Sequence, residues 1–124
     1  MAEFPRDVAY TPEHEWYRVQ DGTIGVTDHA QRSLGDVVYV ELPAVGAVLE
    51  AGRPFGTIES VKSVSDLFAP VGGRVAAVNT ALADEPERVN REPYGGGWLI
   101  RVDPSGEPAG LLDADAYRRL VEGT

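Results

Sequence analysis

Short β-prone runs, each cut off by glycine, proline or aspartate, leave this chain little room for anything but a small sheet protein. Fourteen glycines and nine prolines punctuate 124 residues, and no stretch between them before the tail sustains the 3.6-residue periodicity of a long helix. Residues 15–19 and 23–27 flank Asp21-Gly22, a strong hairpin signal. Residues 37–42 form a Val/Tyr-rich run ended by Pro43. Residues 56–61 and 64–69 read as two strands around a tight reversal, and residues 74–78 and 98–102 as two more. Residues 81–97 read as loop, with one helical turn starting near Pro86. Many short strands with regular turn signals predict a mostly β protein, a small barrel or sandwich.

Two helices are expected. A short one near 28–34 has Thr27 or Asp28 to cap it, Gln31 three residues after Asp28, and Gly35 to close it. A C-terminal one near 113–122 is capped by Asp113 and stopped by Gly123, with Asp115 in its first turn and Arg118 and Arg119 near its end. Its apolar stripe is read as Ala116, Leu120 and either Leu112 or Val121. No linker or low-complexity segment interrupts the chain, so residues 1–124 are expected to form one domain.

Composition narrows the function. A net charge of −9 argues against nucleic acid or an anionic membrane as partner, because phosphate-rich surfaces need a basic face. No apolar run approaches the roughly 18 residues of a membrane span. The first residues combine acids with no apolar core, unlike a signal or transit peptide, and a cytoplasmic location is the default expectation. The absence of cysteine excludes disulfides, thiolate nucleophiles and thiolate-held metals. His14 and His29 lack a clustered third ligand, so no metal site is expected. The carboxylates include no persuasive acid–base pair, and no catalytic residue is assigned.

One lysine stands among ten arginines. Arginine replaces lysine as a charge but not as an amine nucleophile, since its guanidinium stays protonated. Lys62 falls where the strand direction reverses between residues 56–61 and 64–69. A lysine there would present its amine to solvent on a backbone held from both sides. Spacing alone leaves open whether it does chemistry or merely solubilises a turn.

Several motifs, in order, resemble the H protein family of the glycine cleavage system. They are Tyr10-Thr11-Pro12-Glu13-His14-Glu15-Trp16, Gly25-Val26-Thr27-Asp28-His29-Ala30-Gln31, the run from Leu34 to Pro43, and Phe55-Gly56-Thr57-Ile58-Glu59-Ser60-Val61-Lys62. Ala69-Pro70-Val71-Gly72-Gly73 and the run from Pro93 to Ile100 complete the set. The resemblance implies a barrel-sandwich hybrid of two sheets, and a lipoyl group joined to Lys62. It also implies that Glu59, three residues before the lysine, and Gly73, eleven after it, help a lipoate-attaching enzyme recognise the hairpin. Biotin carriers share the fold but usually flank the lysine with methionines, unlike Val61 and Ser63.

The same resemblance implies a carrier, not an enzyme, and a monomer. Glycine decarboxylase would load the arm with an aminomethyl group, an aminomethyltransferase would unload it, and dihydrolipoamide dehydrogenase would reoxidise it. The loaded arm would rest in a cleft with Glu15 and Asp66, whose carboxylates could hold the amine. Some members have histidine in that cleft where this chain has Ser33. An H-like donor or relay of lipoyl groups to other enzymes is the alternative reading.

Overall fold

The computed structural model describes residues 3–108 and 110–123. Its elements, in chain order, are β1 (Ala9–Tyr10), β2 (Glu15–Arg18), β3 (Thr23–Val26), α1 (Asp28–Leu34), β4 (Val37–Glu41) and β5 (Val48–Leu49). There follow β6 (Pro54–Ser60), β7 (Val64–Phe68), β8 (Gly73–Val78), a 3-10 turn at Thr80–Ala83, α2 (Arg88–Arg91), β9 (Ile100–Pro104) and α3 (Ala114–Glu122). The strands form two antiparallel sheets, one ordered β1-β2-β3-β9-β8-β5 and the other β4-β6-β7. The turn spacing predicts this mostly β architecture as a small barrel or sandwich, and the family resemblance implies its two sheets.

Alternation along the strands explains how both sheets bury their faces. Ile58 and Leu67 of the smaller sheet meet Ile24, Val26, Val75, Ile100 and Val102 of the larger one in the main core. Leu34 of α1 and Val89 of α2 join the same core. The larger sheet has a second buried face. Trp16 points away from the main core into a cluster with Val8, Tyr10, Ala114 and Tyr117, under α3. Gly25 lies across from Trp16, and a Cβ there would stand 2.6 Å from the indole. Only a glycine lets that ring lie flat on β3.

Both predicted helices are present. Thr27 caps α1, accepting from Ala30 N–H, and Gly35 at φ 78° ends it. With Thr27 as cap, Gln31 is not its capping-box partner but bonds the Asp28 carboxylate at 2.7 Å. Asp113 caps α3, accepting from Ala116 N–H, and Gly123 follows its end.

Several expectations need correction. The buried stripe of α3 is Ala114 and Tyr117, with Val121 packed beside them, whereas Leu120 is exposed. Helical spacing allowed either stripe, and the tyrosine won because its ring stacks on Tyr10 at 4.5 Å. The last long strand lies at Ile100–Pro104, later than expected, because Trp98 belongs to the turn after the glycine run and donates its N–H to Gly95. The two-residue strands β1 and β5 are too short to leave a pattern.

Candidate functional site

The hairpin between β6 and β7 turns through Ser60-Val61-Lys62-Ser63. Glu59 and Val64 are the last cross-strand pair, and Ser60 N–H donates to Ser63 O at 2.8 Å. The Ser60 hydroxyl then staples the tip, accepting from the N–H groups of Lys62 and Ser63 at 3.3 and 3.2 Å. Val61 N–H donates to Asp36 O at 3.0 Å, which ties the tip to the start of β4. That start is itself braced by Asn90 of α2. Its amide donates to Gly35 O at 2.8 Å and Gln31 Oε1 at 3.1 Å, and its oxygen accepts from Val37 N–H at 2.9 Å. Lys62 therefore stands exposed on a backbone anchored from three elements. Its stem runs past the C-terminal end of α1, where a Cβ on Gly35 would lie 3.7 Å from the Lys62 Cε.

Beside the tip opens a cleft of about 310 Å³. Its lining comes from Ser63, Ser65 and Asp66 of the hairpin, Ser33, Ala30 and His29 of α1, and Glu13, His14 and Glu15 of the segment leading into β2. Val26, Leu34, Ile58 and Leu67 make an apolar floor. Glu15, Asp66 and Ser33, named from sequence, thus share one cleft, which Ser63, the residue after Lys62, also lines.

Glu15 is no surface acid. It is 2% exposed, because β2 alternation sends Trp16 to the outer cluster and Glu15 inward. Thr11 Oγ donates to one carboxylate oxygen at 2.7 Å and Phe68 N–H to the other at 3.1 Å. Burial pushes its pKa up to about 7, against the pull of those two bonds. The group can therefore gain or lose a proton near neutrality. Asp66 and Ser33 are exposed.

The other two positions lie outside the cleft lining. Glu59 is exposed and stands between Tyr39 and Val64 in one cross-strand row. Tyr39 is 54% and Val64 64% exposed, so an acid flanked by apolar groups faces solvent next to the lysine. Gly73 is buried in the other sheet, between Leu49 and Pro104. At φ 155°, with an added Cβ only 2.3 Å from Asp103 O, it has a local structural cause of its own.

Sequence reasoning did not find the staple on Ser60, the brace from Asn90, or the meeting of the histidines. The rings of His14 and His29, both in the cleft lining, stand 4.8 Å apart. Among the described residues no group of three or more potential ligands could hold a metal ion. Nor is any helix among them long and apolar enough to cross a membrane.

The family model for glycine cleavage H-proteins matches residues 8–124. The chain belongs to the glycine cleavage H-protein family. A glycine cleavage system H protein of Rubrobacter xylanophilus is 58% identical, with 98% of each chain covered. Another, from Bacteroides thetaiotaomicron, is 52% identical over 97% of this chain and 98% of its own. The crystal structure of a glycine cleavage system H protein from Mycobacterium marinum superposes with a TM-score of 0.89 at 41% identity, covering 97% of this chain and 99% of that one. The chain is thus a lipoyl-carrier component of the glycine cleavage system, and its work involves the other components of that system.

Proposed function

We propose that Lys62 is the residue that carries the lipoyl group, and that the cleft beside it is where the loaded arm rests. The observation that carries this reading is their adjacency: Ser63, the residue after Lys62, lines the same cleft as Glu15 and Asp66. The residues present fit the group. An exposed primary amine on a pinned backbone can be acylated. The apolar floor of Val26, Leu34, Ile58 and Leu67 suits a hydrocarbon chain, and Glu15 and Asp66 suit a cationic end. The attached lipoyl group would supply a dithiol–disulfide pair that accepts the aminomethyl unit and afterwards carries reducing equivalents.

This chain's own residues position and shield. The Ser60 staple and the Asp36 contact hold the amine at a fixed height. Ionised Glu15, bonded to Thr11 and Phe68, presents a preorganised negative charge whose orientation costs nothing when a cation arrives. Glu59, in its row with Tyr39 and Val64, offers a charged and apolar surface to the lipoate-attaching enzyme. Gly73 supports recognition at one remove, by letting β8 pack closely enough on β9 to seat the hairpin's sheet.

In this reading residues 1–124 are a single carrier domain, monomeric, cytoplasmic and without catalytic residues of its own. Lipoate is its covalent cofactor. It meets glycine decarboxylase, the aminomethyltransferase and dihydrolipoamide dehydrogenase in turn. Intact-mass measurement of the natively produced protein tests it: a lipoyl increment located on Lys62 is expected, and an unmodified lysine in lipoate-replete cells would sink it. Glycine-dependent carbon dioxide exchange with the decarboxylase then separates this role from a lipoyl relay to other enzymes.

A further inference from the structure

His14 is held in an unusual way for a residue at the edge of a cleft. Among the described residues it is the one non-glycine with a positive φ, 74°, a conformation that L side chains adopt at some cost. Its backbone is bonded on both sides, His14 N–H to Thr11 O at 3.1 Å and Thr27 N–H to His14 O at 3.0 Å. The ring is tied as well: Nδ1 lies 2.7 Å from the Tyr117 hydroxyl, which lies 2.8 Å from Thr27 Oγ.

Proton counting orients this chain. Thr27 is fully buried, and its Oγ already accepts from Ala30 N–H at 3.1 Å. Among the described residues its own proton has one acceptor, the Tyr117 oxygen. Tyr117 must then give its proton to His14 Nδ1. The opposite direction would bury the Thr27 hydroxyl proton without a partner, which costs more than the bond is worth. Nδ1 is therefore an acceptor, and the ring's single proton sits on Nε2, its one polar atom free to meet the cleft.

We propose that Tyr117 of α3, backed by Thr27 at the N-cap of α1, holds His14 as the neutral Nε2–H tautomer, so that the cleft stays net negative and receives a cationic end group. The inference rests on the cleft being the arm's resting place. The charged and titratable groups around His14 are Glu13 and Glu15 from its own segment, His29 from α1, Asp66 from β7 across the cleft, and Tyr117 from α3. An imidazolium at this point would oppose the carboxylates and repel an ammonium guest; a neutral ring does neither. Burial, helped by His29 and opposed by Glu13, also lowers the His14 pKa.

The test uses the unmodified full chain, with nitrogen-15 in its histidines and two-bond proton–nitrogen correlation at pH 8. His14 is expected to show the Nε2–H tautomer. Tyr117→Phe keeps the ring stacked on Tyr10 but removes the donor. It is expected to mix the His14 tautomers and raise the ring's protonated population at a given pH about fivefold, the worth of one neutral hydrogen bond. Thr27→Ser, which keeps the hydroxyl, is expected to retain the native pattern. A proton on Nδ1 in the native chain, or a pattern untouched by Tyr117→Phe, would overturn the proposal whatever the arm does. In the lipoylated, amine-loaded chain the His14 Nε2 resonance is expected to move. An unmoved resonance with the tautomer intact would overturn the cleft reading itself, and with it the role as receptor.

Discussion

The hairpin tip at Lys62 and the aromatic cluster under α3 solve opposite problems. At the tip, Val61, Lys62, Ser63 and Val64 are all exposed, and order comes from backbone bonds to Ser60 and Asp36. Under α3, Tyr10, Trp16 and Tyr117 are fully buried, and order comes from packed rings whose polar ends each find a partner. Trp16 Nε1 donates to Pro93 O at 3.0 Å, and Tyr117 meets His14 and Thr27. The contrast teaches that presentation of a side chain and burial of a core are separable. A tip can be held still without burying the group it presents.

The comparison breaks most visibly at its two centres. Lys62→Arg keeps the charge and removes the acylatable amine, so loss of lipoylation and of glycine–carbon dioxide exchange should be complete. The melting temperature should stay within error, since exposed substitutions rarely move stability beyond about 0.5 kcal/mol. Mass spectrometry and calorimetry read the two effects, and retained exchange would reject the tip as the working site. Trp16→Ala should do the reverse. It is expected to cost about 3 to 5 kcal/mol from the cavity it leaves, measured by denaturant unfolding, while any folded fraction still accepts lipoate.

Glu15 lies between the two regions and sharpens the contrast through pH. Its folded pKa is raised, from the ordinary 4.5 to about 7. The folded state therefore holds the proton more tightly than the unfolded one, and stability from this group falls as pH rises from about 4.5 to about 7. The full effect is on the order of 3 kcal/mol. Glu15→Gln should flatten that slope in pH-dependent unfolding. It should also shorten retention of the amine-loaded arm at pH 8, whereas the native protein should lose its grip on the arm as pH drops below about 7. An unchanged release rate in the variant would reject the electrostatic role.

Asn90→Ala gives the smallest effect. Without its side chain, Gly35 O and the buried Val37 N–H lose their partner. A loss of about 2 kcal/mol is expected, with faster hydrogen exchange at Val61 N–H because its acceptor, Asp36 O, sits between the two freed groups. Exchange at Val61 equal to that of the native chain would show that the tip does not depend on the brace.

Legibility followed the range of each interaction. Gly35, Asp113 and Gly123 act within a turn of their own helices, so their roles could be read from the sequence, and the first helix's cap was narrowed to Thr27 or Asp28. The strands whose runs of β-prone residues end at proline or glycine were equally plain, and so was the exposed reversal at Lys62. Resemblance of separate motifs named the family, the lysine and the acids of the cleft before any contact was known. Choosing Tyr117 over Leu120 for the buried face of α3 required knowing that Tyr10 waits beneath it.

Chain chemistry by itself thus determined a mostly β protein, a small barrel or sandwich, with one acylatable amine at a turn and no thiol of its own. Tertiary structure alone decided that Glu15 is buried and shifted rather than a surface acid. It also decided that Asn90 reaches the start of β4, and that Tyr117 closes a hydrogen-bond chain to His14. Tyr117 lies 103 positions from His14, and Asn90 lies 53 from Val37. Pairings of that range leave no local periodicity or cap to read. They arise only when two sheets and a terminal helix converge, and when every buried donor must find an acceptor.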